Sequence, residues 1–100
     1  MRRSLRVRKA ARAEIAEAFA WYRARSGTAA DRFLDAVDEA MERIETDPEQ
    51  YHIVHGRLRR VLLAHFPYGI YYKVYPAITS VVGVIHERRH PDTWLRRIAP

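Results

Sequence analysis

The chain has 100 residues, a net charge of +6 and no cysteine, and 48% of its residues are hydrophobic. That is the size of a single domain, residues 1–100, with apolar material for one core; disulfides, thiolate nucleophiles and Cys-based zinc sites are excluded, and neither a metal nor another cofactor is expected. No apolar run approaches the roughly 20 residues that span a bilayer, and no apolar stretch of the kind a secretory signal carries follows the basic start, so a cytoplasmic protein away from membranes is expected.

Leu5 and Val7 alternate with Arg6 and Arg8, the period of a short strand with one buried face. From Ala10 the period lengthens. Ala11, Ile15, Ala18, Phe19 and Tyr22 recur at helical spacing in an alanine-rich stretch, and Trp21 and Tyr22 are expected in the core or at its edge. Ser26-Gly27 ends this helix, with Gly27 suited to a left-handed position. Thr28 then reads as an N-cap with Asp31 three residues on. Phe33, Val37, Met41 and Ile44 form the apolar stripe of a second helix, which Pro48 stops. Two striped helices joined by a short loop predict an antiparallel hairpin.

After Tyr51 the period returns to two. Residues 58–63, 70–75 and 78–86 read as three strands rich in Val, Ile and Tyr, with turns at Phe66-Pro67-Tyr68-Gly69 and Tyr75-Pro76-Ala77. In the middle one, Ile70, Tyr72 and Val74 share one face, and Tyr71, Lys73 and Tyr75 the other. The order β-α-α-β-β-β predicts an α+β domain, an antiparallel sheet with the helical hairpin packed on one face. The face with Tyr71, Lys73 and Tyr75 is expected to be partly open.

Charge is segregated along the chain. Residues 31–49 hold eight acids against Arg32 and Arg43, whereas residues 1–30 and 50–100 each hold eight basic and two acidic side chains. Sixteen of the eighteen basic residues are arginine, whose forked guanidinium matches phosphate or carboxylate. Such a distribution suits an anionic partner meeting one face.

Residues 14–22, the pair Arg59-Arg60, the block Phe66-Pro67-Tyr68-Gly69-Ile70-Tyr71-Tyr72 and the tail His86-Glu87-Arg88-Arg89-His90-Pro91-Asp92-Thr93-Trp94 together resemble the RelE/ParE toxins, from residue 5 to residue 97. The resemblance implies the same β-α-α-β-β-β fold and the toxin half of a type II toxin–antitoxin (plasmid stabilization) system, with an antitoxin encoded beside it. It implies one of two targets: RelE-like members cleave mRNA on the ribosome, and ParE-like members arrest DNA gyrase.

RNA cleavage through the 2′-hydroxyl needs a base, an acid and cations for the phosphorane charge. In RelE-like enzymes these are basic residues of the second helix and sheet and a tyrosine near the C-terminus. Here the second helix is acidic, the lysines are Lys9 and Lys73, and Trp94 stands where that tyrosine aligns. Arg88 aligns with a phosphate-contacting arginine. A nuclease would have to combine Arg88 with His86 or His90 as an acid–base pair; the plainer reading leaves His86 at the sheet edge and His90 in solvent. The residues therefore favour a ParE-like, non-catalytic gyrase inhibitor that halts growth, ahead of a ribosome-dependent endoribonuclease, with a non-toxic basic nucleic-acid-binding module third. The target surface is expected at Arg88, Arg89, Trp94, Arg96 and Arg97, and the antitoxin surface at Arg60, Tyr71, Lys73 and Tyr75. Trp94 is also expected to pack the tail and so to position its arginines.

Overall fold

The computed structural model describes residues 4–98; Arg2 and Arg3 at the basic start and the last two residues of the tail lie outside the described residues. Strand β1 (Ser4–Val7) precedes helices α1 (Lys9–Arg23) and α2 (Gly27–Thr46). A 3-10 turn at Pro48–Gln50 leads into β2 (Ile53–His55), β3 (Leu58–Leu62), β4 (Tyr68–Val74) and β5 (Ile78–His86). A second 3-10 turn at Pro91–Thr93 precedes the single-turn helix α3 (Leu95–Ile98). This is the expected α+β arrangement, with two additions. The three exposed residues of β2 form an edge strand where the sequence suggested none, and the sheet order β1-β5-β4-β3-β2 places β1 parallel to β5 while every other pair is antiparallel.

The second helix starts two residues earlier than the sequence suggested. Ser26 is extended, and its hydroxyl accepts from the Ala29 backbone N–H at 3.2 Å, so Ser26 and not Thr28 caps α2. Gly27 consequently becomes the first residue of α2 rather than a left-handed terminator of α1; Gly56, with φ 55°, is the glycine that uses that region among the described residues.

The main core lies between the hairpin and the sheet. Ala11 and Ala18 of α1 and Phe33, Val37 and Ile44 of α2 meet Ile70, Tyr72, Val81 and Val84. Small residues on α1 let that helix lie close to β5, and the larger side chains of α2 fill the remaining depth. Full burial of one such large apolar side chain stabilises by about 1.5–3 kcal/mol. Tyr22, Phe33, Phe66 and Tyr68 form an aromatic group at one end, with ring centroids 5.2–6.4 Å apart. Trp21 departs from the expectation: it is 51% exposed, because it lies off the stripe of α1, and Arg25 covers its ring at 3.7 Å.

The opposite sheet face is not open. A second cluster of Leu58, Tyr71, Ile85, Trp94 and Ile98 covers it. A bulge makes this possible, since Tyr71 pairs with Gly83 but Tyr72 pairs with Val81, leaving Val82 as an extra residue in β5. Val81 and Val84 thus face the helices, while Val82 and Ile85 pack toward the tail.

Candidate functional site

Beyond His86 the chain leaves the sheet and folds back over it. Trp94 is the anchor of this return: it is 7% exposed, its ring lies 4.7 Å from that of Tyr71, and its indole N–H is turned to the Arg89 carbonyl at a long 3.4 Å. Arg97 donates to the Val82 carbonyl at 3.1 Å, and Ile98 is buried beneath the sheet. The segment after β5 thus carries four exposed basic residues, Arg88, Arg89, Arg96 and Arg97, of which Arg97 is held by Val82 and Glu14 and Arg89 lies beside Glu14. Trp94 itself faces inward, so of the residues expected to meet a target it supports the others rather than touching a partner.

His86 and His90 are held separately. The Nδ1 of His86 accepts from the Arg88 backbone N–H at 3.1 Å, and the Nδ1 of His90 accepts from that of Asp92 at 3.2 Å. In this geometry each Nδ1 is engaged by a backbone N–H of its own turn. His86 packs against Tyr68 with centroids 5.1 Å apart, whereas His90 caps the 3-10 turn in solvent. The geometry does not combine them into an acid–base pair.

The residues expected to hold an antitoxin divide in the same way. Tyr71 is 2% exposed beneath Trp94, which takes its ring out of reach of a partner. Its hydroxyl donates to Glu87 Oε2 at 3.1 Å, and Glu87 pairs with Arg60 at 3.4 Å. Burial pushes the Tyr71 hydroxyl pKa up, a shift that the Arg60 hydrogen bond opposes. Gly69 gives this group its room: a Cβ there would come within 3.0 Å of Glu87 Oε2 and 3.2 Å of the Arg60 side chain. With His55, Pro91 and Trp94 these residues border a hollow of about 300 Å³. Lys73 and Tyr75 remain half-buried toward the end of β4, and Arg57 lies 5.8 Å from the centre of the Tyr75 ring. Arg59, on the other face from Arg60, donates to the Glu49 and Tyr51 carbonyls and clamps the loop before β2.

A larger groove, about 780 Å³, runs between α1 and the outer edge of β5. The aromatic rings of Trp21, Tyr22, Tyr68 and His86 lie along it, with Glu14, Glu17 and Arg89 among its polar groups. Burial raises the Tyr22 and Tyr68 pKa values, and for Tyr68 the nearby Tyr22 and Glu17 add to the rise. No pattern in the chain marks this groove, because it forms where β1 ends before β5 does. Glu14 was visible as one of two acids in a basic segment and as the first residue of the 14–22 stretch that carries the resemblance, neither of which placed it on β5. Among the described residues no group of three or more His, Cys, Asp or Glu is placed to hold a metal ion. Nor is any helix long and apolar enough to cross a membrane.

Comparison with known proteins agrees with this architecture. A family model described as the ParE toxin of the type II toxin–antitoxin system parDE matches residues 5–91. The fold is similar to that of a solved structure described as the chromosomal ParDE TA system from P. aeruginosa, with a TM-score of 0.75 and 15% sequence identity, covering 84% of this chain and 95% of that one. No curated protein matches the chain in sequence.

Proposed function

The chain belongs to the ParE toxin family of type II toxin–antitoxin systems, and on that premise we propose that it is a non-catalytic inhibitor of DNA gyrase, acting in the cytoplasm and neutralised by an antitoxin encoded beside it. The observation that carries the non-catalytic reading is the position of Trp94. It is buried against Tyr71 with its N–H turned to a backbone carbonyl, at the place where a nuclease of the RelE type would present an acid. An indole N–H supplies no proton at useful pH, the Nδ1 atoms of both nearby histidines are engaged by backbone N–H groups, and Arg60 is paired with Glu87. General acid–base groups contribute about 10²–10⁴-fold each, so a site without them is a poor ribonuclease. A surface that binds a target has no such requirement, and the exposed arginines at 88, 89, 96 and 97 provide one.

Two assays on one preparation test this. Supercoiling by purified gyrase is expected to stop with no ribosome present, and mRNA on programmed ribosomes is expected to stay intact. Codon-dependent cleavage of ribosome-bound mRNA that is lost in His86→Ala or His90→Ala overturns the reading in favour of an endoribonuclease.

Arg88 provides a narrower test. Its side chain is exposed in the turn after β5, while its backbone N–H is bound by His86. Arg88→Ala is expected to weaken target binding by about 1–2 kcal/mol, roughly tenfold, while changing fold stability by no more than about 0.5 kcal/mol. Growth assays and thermal melts of the same variant check both halves; full toxicity, or a loss of several kcal/mol of stability, removes Arg88 from the target surface.

A further inference from the structure

β1 stops at Val7, opposite Val81, and Arg8 turns the chain into α1. β5 runs on to His86, so its outer edge from Val82 onward has no neighbouring strand among the described residues. Two side chains stand where such a strand would be. Glu14 Oε1 accepts from the Val84 backbone N–H at 3.0 Å, as the carbonyl of a neighbouring strand would, and Arg97 Nη1 donates to the Val82 carbonyl at 3.1 Å, as its N–H would. The two side chains are themselves joined, Arg97 Nη2 to Glu14 Oε2 at 3.0 Å, with Arg89 at 3.8 Å from the same oxygen.

Strand alternation defines what this edge offers. Val84 sits opposite Ile70 and turns its N–H outward, so its carbonyl points outward too, as do both backbone groups of His86 opposite Tyr68. The His86 carbonyl already accepts from the Arg89 N–H. Three edge positions thus face the groove: the Val84 N–H held by Glu14, the Val84 carbonyl and the His86 N–H. A helix has no backbone groups to spare for them, whereas an extended segment has.

We propose that an extended, acidic segment of the antitoxin adds as a strand to the edge of β5 at Val84 and His86, displacing Glu14 from the Val84 N–H. This rests on the antitoxin partner proposed above and places its contact in the α1–β5 groove rather than on the face that the tail covers. The chemistry of the occupant follows from the lining. A carboxylate of the segment takes the place of Glu14 beside Arg89 and Arg97, matching the +6 charge of the chain. An apolar side chain enters between Trp21, Tyr22 and Tyr68, where half of the Trp21 surface is now exposed. Glu14 is thus a place-holder that keeps an open sheet edge from pairing indiscriminately until the cognate segment replaces it.

The test is amide hydrogen exchange of the full chain with and without the product of the reading frame next to its gene. In the complex the His86 amide is expected to exchange at least tenfold more slowly, while Ile53 and Val54 on the opposite edge stay unchanged. Binding with the His86 rate unaltered overturns the groove assignment and leaves the antitoxin partner standing; no binding at all overturns both. Affinity measurements give an independent reading. Glu14→Ala removes the place-holder and is expected to tighten binding several-fold, with Glu14→Gln, which keeps an acceptor for Val84, tightening it less. Unchanged or weaker binding in both variants means that Glu14 only guards the edge, and overturns the proposal.

Discussion

Replacement of Trp94 by alanine is expected to destabilise the protein by about 3–5 kcal/mol, the usual cost of deleting a buried aromatic side chain. The indole is the largest member of the second cluster and lies on Tyr71, with Leu58, Ile85 and Ile98 around it. Helix α3 spans only four residues and cannot hold itself in place. Loss of the anchor therefore releases the tail as a unit. Part of the cost then appears as local opening rather than global unfolding, and Arg96 and Arg97 lose their fixed positions. Urea denaturation of Trp94→Ala should show the loss, and the gyrase inhibition proposed above should fall even at temperatures where the hairpin and sheet remain folded. Trp94→Phe, which keeps an aromatic ring on Tyr71, is expected to recover most of both. A loss below about 1 kcal/mol would mean that the tail is held by its polar contacts, Arg97 with Glu14 and Val82, and not by the indole.

The second large effect is alkaline destabilisation. Tyr72 is fully buried and its hydroxyl donates to the Pro48 carbonyl at 2.6 Å; burial pushes its pKa far above the ordinary value near 10. Tyr71 is shifted in the same direction, chiefly by burial. Both folded values lie above the unfolded one, so the contribution of these tyrosines is complete below pH 10. Above it, the unfolded chain gives up protons that the folded chain retains. Each tyrosine then removes about 1.4 kcal/mol of stability per pH unit until its own folded pKa is reached. The urea midpoint should be flat from about pH 7 to 9 and fall steeply above about pH 10. Tyr22 and Tyr68 are raised as well and add to the slope, so Tyr72→Phe should reduce it by one tyrosine's share and most at the highest pH, while costing about 1–3 kcal/mol at neutral pH because the Pro48 carbonyl loses its donor. A slope that Tyr72→Phe leaves unchanged would assign the alkaline transition to other groups.

Much of this fold was legible because its periods are clean. The stripe Phe33, Val37 and Ile44 and the alternation of Ile70, Tyr72 and Val74 identified the main core, and the structure buries the two sets against each other. Strand β2 escaped notice because Ile53-Val54-His55 is short and exposed on every residue, so no alternation marks it. The covering of Tyr71 was invisible for a different reason. Its partner Trp94 lies 23 positions away on a tail with no period of its own, and only the backward fold of that tail brings the rings together. The expected role of Trp94 in packing the tail was correct in kind, but the sequence did not say that the packing would close the face assigned to an antitoxin. Glu14 was harder still. Its function as an acceptor for Val84 depends on β1 ending at Val7, a boundary that composition does not mark.

The parallel pairing of β1 with β5 also governs timing. Ser4 pairs with Ile78 and Val7 with Val81, so the first strand made must wait for the last before it finds its neighbour. Hairpin α1–α2 depends on contacts close in the chain and can form early, whereas closing a loop of this length delays sheet assembly. At about 5–20 residues per second, the ribosome takes several seconds to make the intervening segment. Any surface that needs β5, including the arginines that follow it and the edge beside α1, comes into being only after β5 has been made. A cell making this chain thus has an interval in which an antitoxin already present can meet the finished sheet as soon as it exists.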